Sequence, residues 1–411
     1  MRLSVQNLGM IKQGDIKIDG MTVIAGKNGV GKSTLGKMLY CLCRSFYHAE
    51  EKVEEEIVMQ INLTLSQSMR REFNMPRRNY NTMREYAEWI LHSYRETNEV
   101  RLPDELNAIL EGNSRGTVTM MEHLRKSMEV TPEEILHRFF YQCSEVEFGG
   151  QLNPINHPLK KMEVRLEMDD GTEFCVEKRG RAKARIISGE SVSEDAIFID
   201  DPFLLDMLSE NMSYISFYDR FYHRRDLIER MVLNNDQESV INSILGEKAW
   251  NELEELIKGI CDGTLTRDQQ RDFGYVSDRY KEPVSLEALS TGMKSILILK
   301  TLIENGSLTD ETILIFDEPE VHLHPEWQFQ LARILVLLPK VLGVKVLVST
   351  HSTDFISAID YYSKEDGIQD LCKFYQIVKK EDYSIVNDVT DQIDVIYNEL
   401  STPFLQVADK I

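Results

Sequence analysis

Met21-Thr22-Val23-Ile24-Ala25, followed without a break by Gly26-Lys27-Asn28-Gly29-Val30-Gly31-Lys32-Ser33, decides the architecture. The first five residues form a short apolar run of the kind that makes a buried strand. The next eight fit GxxxxGK[ST], and from about Ser33 to Ser45 the apolar positions Leu35, Met38, Leu39 and Leu42 recur at helical spacing. A glycine-rich loop between a strand and a helix lets backbone N–H groups turn inward around phosphates, and the helix N-terminus adds partial positive charge. In such a loop Lys32 neutralises the β- and γ-phosphates of a nucleotide and Ser33 offers its hydroxyl to Mg²⁺. Gly26, Asn28, Gly29, Gly31, Lys32, Ser33 and Thr34 are therefore the expected nucleotide-binding residues.

Working outward to the carboxy-terminal part, Ile313-Leu314-Ile315-Phe316-Asp317-Glu318 is an apolar strand ending in two acids. At the carboxyl edge of a parallel sheet, Asp317 suits holding Mg²⁺, directly or through water, and Glu318 suits polarising an attacking water. Leu289-Ser290-Thr291-Gly292-Met293-Lys294-Ser295 opens a helix, with Ser290 as N-cap and Gly292 in the first turn; read alone, it is a capped helix. Val346-Leu347-Val348-Ser349-Thr350-His351-Ser352 is a further strand that ends at a histidine.

The whole chain sets bounds on these readings. Of 411 residues, 68 are acidic and 47 basic, for a formal charge of −21. That balance argues against a surface coated with nucleic acid, since phosphate binding is driven by Lys and Arg, yet it permits a local basic groove. Cys41, Cys43, Cys143, Cys175, Cys261 and Cys372 are scattered without a metal-ligand spacing and read as reduced thiols of a cytoplasmic protein. The start MRLSVQNLGM lacks a signal-peptide pattern, and no apolar run reaches the ~18 residues of a membrane span, so no membrane partner is expected.

Strand patterns cover Met1–Val5 and Ile16–Ile18, and helical texture fills about Tyr47–Tyr141, including Glu51–Ile61 and Thr131–Phe140. Lys161–Met168 and Thr172–Lys178 flank Asp169-Asp170-Gly171, a hairpin signal. Ala196–Ile199 and Met212–Phe217 read as short strands, then Asp226–Leu233 and Gln237–Gly259 as helices. Beyond Thr291 the alternation of helix and strand predicts a parallel sheet covered by helices, followed by strands near Leu371–Val378 and Tyr383–Val386 and a helix near Ile393–Leu400. The expected organisation is residues 1–46 with 142–220 as a first ATPase lobe, 47–141 as a helical insertion, 221–283 as a helical connector, and 284–411 as a second lobe.

Taken in this order, the motifs resemble those of ATP-binding cassette ATPases. LSTGMKS is similar to the family's LSxGxxS signature, which implies that Ser290 and Gly292 grip the γ-phosphate of ATP held by the opposite subunit. His351 stands in the place of the family's switch histidine, which contacts the γ-phosphate. In Glu318–Pro325 the segment resembles DEPxxxLD, but His324 stands where most members carry an aspartate, which opens the question of how two active sites communicate. The form DEPExHLHPxxQ, with Gln328, resembles the soluble ATPases of the OLD class (overcoming lysogenisation defect), related to the SMC and RecF repair proteins. The resemblance covers about Met1–Tyr40 and Val284–Phe355. It implies an α/β P-loop NTPase fold of cassette type, a two-lobed mixed and parallel sheet with a helical insertion. Gln142, Gln151 and the segment Ser216–Arg220 are the candidates for the family's Q-loop. The stretch after His351 is too short for the Toprim nuclease that OLD proteins often carry.

The resemblance implies an ATPase that binds ATP and Mg²⁺, forms a homodimer or higher even oligomer around ATP, and uses Glu318, His351 and Lys32 in catalysis. Binding and hydrolysis would switch a separate effector, such as a nuclease, in a prokaryotic anti-phage defence system. Two other readings stay open: a DNA-repair ATPase clamping DNA directly, and a scaffold whose ATP is structural. DNA or RNA contact is suggested by Lys178-Arg179-Gly180-Arg181-Ala182-Lys183-Ala184-Arg185 and by Arg70, Arg71, Arg77, Arg78 and Arg220–Arg225, with Tyr218, Phe221 and Tyr222 interleaved; the same residues also read as solvated loops and core aromatics.

Overall fold

The structure, a computed structural model, describes residues 1–72, 80–110, 114–189, 191–209, 222–233, 248–267 and 273–408. It separates into two compact units, one of residues 1–47 and 140–411, the other of residues 48–139. In chain order come β1 (Arg2–Leu8), β2 (Ile11–Lys17), β3 (Met21–Ala25) and α1 (Lys32–Phe46). The helices α2 (Ala49–Glu72), α3 (Tyr80–Thr97), α4 (Asp104–Leu110), α5 (Ser114–Met128) and α6 (Pro132–Phe148) follow. Next are β4 (Lys161–Glu167), β5 (Glu173–Arg179), β6 (Arg185–Ser188), β7 (Asp195–Ile199), α7 (Asp206–Ser209), α8 (His223–Leu233) and α9 (Lys248–Ile260). A small antiparallel sheet of β8 (Thr264–Arg267), β9 (Phe273–Val276) and β10 (Val284–Ser285) precedes α10 (Thr291–Glu304) and β11 (Thr312–Asp317). The chain ends with α11 (Pro325–Leu342), β12 (Lys345–Thr350), α12 (Thr353–Glu365), β13 (Cys372–Lys379), β14 (Ser384–Asp388) and α13 (Asp394–Ala408).

The larger unit is built on an eleven-stranded sheet in the order β6-β5-β4-β1-β2-β14-β13-β3-β12-β11-β7. Its parallel part, β13 through β7, has β3 and β7 buried along their whole length. Such strands are covered on both faces, which is why they read in sequence as unbroken apolar runs. The register Ala25↔Thr350, Asp317↔Ser349 and Phe316↔Ile199 brings the carboxyl ends of β3, β12, β11 and β7 into line. The glycine-rich loop, the acids after β11 and His351 after β12 sit on that edge, where open α/β sheets bind ligands, whereas Ser290 and Gly292 open α10 beyond the small sheet.

In the antiparallel part the strands alternate, with Leu3, Val5, Leu8, Ile11 and Ile16 turned inward. The Asp169-Asp170-Gly171 turn joins β4 to β5, Gly171 at φ 87° and Asp170 accepting the Thr172 N–H at 2.8 Å. β14 pairs antiparallel with β13 and parallel with β2, so both parts form one sheet.

In the unit of residues 48–139, Ile57, Ile61, Leu65 and Met69 recur every fourth residue as the buried stripe of α2, with Met83, Ala87 and Ile90 buried on α3 and Met120 and Leu124 on α5. Thr131 and Glu134 exchange the reciprocal hydrogen bonds of a capping box (Thr131 N to Glu134 Oε2 3.0 Å, Glu134 N to Thr131 Oγ1 3.2 Å), the start signal of α6.

The sequence reading of 221–283 as helical is corrected by β8 and β9. Each has four residues, too few to show period-two alternation beside the strong helical signal of α9. The basic run also differs from a plain loop, because Arg185 begins β6. Met212–Phe217 lies outside the described residues. Among the described residues no helix is long and apolar enough to cross a membrane.

Candidate functional site

The loop from Gly26 to Gly31 owes its shape to three glycines used for two reasons. Gly29 (φ 75°) and Gly31 (φ 108°) occupy the left-handed region that side chains rarely adopt. At Gly26 the constraint is space, since a Cβ would lie 2.8 Å from the Ile377 carbonyl oxygen. Lys27, Asn28 and Gly29 face solvent, and Ser33 and Thr34 are half-buried in the first turn of α1. Lys32 is buried, with Nζ donating to the carbonyls of Gly26 (2.9 Å) and Lys27 (3.2 Å) and lying 3.1 Å from Glu318 Oε1. The ammonium is thus aimed across the mouth of the loop by the loop's own backbone.

Asp317 ends β11 beside two hydroxyls: Ser349 Oγ donates to Oδ1, and that of Ser33 lies near enough to act on the carboxylate. Burial raises the Asp317 pKa, these hydroxyls lower it, and the neighbouring charges of Glu318 and Asp200 raise it again, leaving it above its ordinary value. A carboxylate destabilised by burial and like charge is one that a cation stabilises. Glu318 adopts φ 48°, uncommon for a residue with a side chain, and its N–H donates to the Ser349 carbonyl at 2.8 Å. That turn places Glu318 Oε1 between Lys32 Nζ and His351 Nδ1, at 3.1 and 3.3 Å. Lys32, Asp317, Glu318 and His351 therefore gather at one sheet edge from α1, β11 and the end of β12.

Ser290 caps α10, accepting the Met293 N–H at 3.3 Å, and is exposed, while Gly292 is buried. A Cβ on Gly292 would lie 2.7 Å from Leu323 Cδ2 and 3.3 Å from the His322 carbonyl oxygen. The glycine thus lets the start of α10 press on the 322–323 turn. His324 caps α11, its Nδ1 accepting the Glu326 N–H at 3.4 Å, so this ring supplies the helix-capping acceptor an aspartate would supply.

The structure adds residues that the sequence reading missed. Asp200 follows β7 as Asp317 follows Phe316, and its charge acts on Asp317. His223, 1% exposed, lies between two carboxylates: Nδ1 is 2.8 Å from Glu147 Oε1, and Nε2 is 3.0 Å from Asp200 Oδ1. Burial raises the Asp200 pKa, but His223 and Arg224 overcome it and bring it down to about 2. Burial lowers the His223 pKa, and the Asp200 and Glu147 carboxylates outweigh it and raise it. The sequence signal was present in Ile197-Phe198-Ile199-Asp200-Asp201, an apolar strand ending in two acids like the one at Asp317-Glu318.

Gln142 lies half-buried on α6, and Gln151 is exposed in the link to β4. Ser216–Arg220, Tyr218, Phe221, Arg77 and Arg78 lie outside the described residues. Arg224 pairs with Asp200 and Asp201, and Arg225 with Glu229 at 2.7 Å, so these side chains are engaged within the chain rather than offered to bases. Arg179, Arg181, Lys183 and Arg185 are exposed on the β5–β6 hairpin. All six cysteines are buried free thiols.

Among the described residues no group of three or more His, Cys, Asp or Glu could hold a metal ion unaided. The hydroxyl of Ser33 and carboxylate of Asp317 are hard oxygen donors of the kind Mg²⁺ takes when water and phosphate supply its remaining ligands.

Residues 188–357 match the protein family described as "AAA domain, putative AbiEii toxin, Type IV TA system", a span that includes the signature, both acids and His351 but not Gly26–Ser33. Among solved structures, the chain is similar to the SMC head domain from Thermotoga maritima at TM-score 0.41 and 10% identity, over 94% of this chain and 98% of that one. It is similar to an SMC head bound to the C-terminal winged-helix domain of ScpA at TM-score 0.43 and 12% identity, over 96% of this chain and 98% of that one. An SMC head with an extended coiled coil, bound to the C-terminal domain of ScpA derived from Pyrococcus furiosus, matches at TM-score 0.42 and 11% identity, over 97% of this chain and 98% of that one. The mixed parallel and antiparallel sheet covered by helices, with a glycine-rich loop between β3 and α1, is an α/β fold of P-loop NTPase type.

Proposed function

We propose that this chain binds Mg²⁺ and ATP on the Gly26–Ser33 loop, hydrolyses the ATP, and uses the cycle to open and close a dimer that switches a partner protein. The observation that carries the reading is the meeting of Lys32, Glu318 and His351 within 3.3 Å at the carboxyl edge of the parallel strands. When ATP is bound, the ammonium of Lys32 faces the β- and γ-phosphates, Ser33 and Asp317 hold the metal, and Glu318 takes the proton of the attacking water. A Mg²⁺ held by Ser33 and Asp317 would supply positive charge against the charge that develops on the phosphates. His351, 40% exposed at its side chain, is free to turn toward the γ-phosphate. The exposed N-terminus of α10 at Ser290 offers partial positive charge and backbone donors to a phosphate carried by a second copy. A clamp of this kind makes a homodimer, or a higher even oligomer, the working form.

The family match mentions AbiEii, a hint of abortive infection that favours a role in prokaryotic anti-phage defence; a cytoplasmic location and a separate effector such as a nuclease complete the proposal. Phosphate release from purified protein tests the core of the reading. Glu318→Gln should slow turnover about 10²–10⁴-fold, the usual contribution of a positioned base, while ATP now holds two copies together. An unchanged rate in Glu318→Gln would sink the mechanism.

The exposed Arg179, Arg181, Lys183 and Arg185 favour one second reading, an ATPase that clamps DNA itself. Its mark is DNA-stimulated turnover that is lost when Arg179, Arg181 and Arg185 become alanine. A structural-ATP scaffold, by contrast, would show no steady phosphate release at all.

A further inference from the structure

Glu320 is an acid the hydrolysis scheme does not use, and it is 3% exposed. Its Oε1 accepts the Thr350 hydroxyl and, at 3.3 Å, the His351 N–H, and stands 3.7 Å from His351 Nδ1. Its Oε2 is buried without a hydrogen-bond partner. Native proteins leave few buried acceptors so, and each exception calls for a reason.

The two segments that Glu320 joins are fixed from other directions. On one side, the Val321 N–H donates to the Glu318 carbonyl (3.1 Å) and the Leu323 N–H to the Glu320 carbonyl (3.2 Å), closing a tight turn. Gln328 Nε2 donates to the carbonyls of Leu323 (3.1 Å) and Glu320 (3.4 Å), and Gly292 packs on Leu323. On the other side, Thr350 Oγ1 accepts the Ser352 N–H at 3.0 Å, and Ser352 Oγ accepts the Phe355 N–H at 3.2 Å to cap α12. Glu320 is the side chain that joins the two segments, through its bonds to Thr350 and the His351 N–H.

We propose that Glu320 is a positioning residue of the ATP site: its carboxylate anchors the 350–351 backbone to the turn after Glu318, so that the His351 ring is held where Glu318 and the γ-phosphate meet. This rests on the ATPase reading above. The role is carried by hydrogen-bond acceptance at Oε1, which an amide oxygen reproduces and a thioether of similar size does not.

The test compares Glu320→Gln, Glu320→Met, His351→Ala and the Glu320→Met/His351→Ala pair. Affinity for a fluorescent ATP analogue and kcat for phosphate release are measured on each. Affinity is expected to stay within about threefold in Glu320→Gln and Glu320→Met, which keep His351 and every residue of the Gly26–Ser33 loop. The kcat of Glu320→Met should fall at least about tenfold, and Glu320→Gln should recover to within about threefold of wild type. The double variant should be no slower than His351→Ala alone, since residues that act as a unit are non-additive. Thr350→Val removes the hydroxyl donor at nearly constant shape and should slow turnover in the same direction, so the idea stays exposed even if Glu320→Met fails to fold. Wild-type turnover in both Glu320→Met and Thr350→Val would overturn the proposal. So would multiplicative losses in the double variant, or an affinity loss that tracks kcat. A wild-type chain that binds no nucleotide and releases no phosphate would instead sink the ATPase reading itself.

Discussion

Replacing His223 with glutamine removes the cation shared by the buried Glu147 and the half-buried Asp200. Nδ1 hydrogen-bonds Glu147 at 2.8 Å, and Nε2 stands 3.0 Å from Asp200 at ion-pair distance without hydrogen-bond geometry, so the protonated ring faces a carboxylate on each side. The His223 backbone N–H also donates to Glu147 at 3.0 Å, and this bond survives the change. A glutamine amide can donate to one carboxylate and leaves the other without a cation. Breaking a buried pair costs about 3–5 kcal/mol; with one contact replaced and Arg224 still beside Asp200, we expect about 3 kcal/mol. With an unfolding entropy of about 2.1 cal/mol/K per residue, that lowers Tm by roughly 4 °C in a chain of this size. The pH dependence has a definite sign. The His223 pKa is raised above its ordinary 6.5, so its contribution is complete below that value and is lost as pH rises through the folded pKa. The Asp200 pKa is lowered from 3.8 to about 2, so its contribution is present above 3.8 and is lost as pH falls toward 2. The Tm gap between wild type and His223→Gln should therefore be widest between those ordinary values and narrow on the alkaline side. Differential scanning fluorimetry across pH 4–9 reads it, and a gap that is flat or widens from pH 6 upward refutes the charged-bridge account.

Other substitutions test the packing that aims the site. At Gly36 on α1 an added Cβ would lie 2.9 Å from Ile315 Cγ2 and 3.6 Å from Phe198 Cε2. Alanine gains about 1 kcal/mol of helix propensity, but overpacking against a β-branched residue in a buried strand costs about 1–3 kcal/mol. Gly36→Ala should lose about 1 kcal/mol on balance, and a rise in Tm would mean the helix–sheet contact is looser than described. Lys300, 4% exposed, donates to the carbonyls of Cys261 (3.1 Å) and Gly263 (2.8 Å). Lys300→Met leaves both acceptors buried, and at about 1–3 kcal/mol for each unmet group, less the relief of burying no ammonium, the loss should be about 3 kcal/mol. Urea unfolding followed by fluorescence checks it, and a midpoint unchanged from wild type would contradict it.

The phosphate loop, the acid-ended strand and the histidine-ended strand were legible because each is a local pattern. Glycine spacing fixes the shape of residues 26–31, and strands covered on both faces, β3 and β7 among them, read as unbroken apolar runs. Order along the chain then supplied the family resemblance. Pairing was not legible: the parallel contact of β14 with β2 joins residues near opposite ends of the chain, and periodicity says nothing about which edge a strand meets. The same limit explains the missed acids. The strand reading stops at Ile199, and Asp200-Asp201 gains meaning only once β7 is found in register with β11. Glu147 and His223 are 76 residues apart and meet only in the folded chain. Glu320 has no separate reading within Glu318–Pro325, and its burial is visible only in the fold, where Glu318 and His322 take left-handed backbone on either side of it. The candidate phosphate-binding groups lie in the turns and helix start that follow strand ends, where a short local motif finds them. The groups that hold them act from behind, and their place is set by tertiary contacts. That asymmetry argues for placing mutational effort on Glu320 and His223, whose roles the motifs alone do not specify.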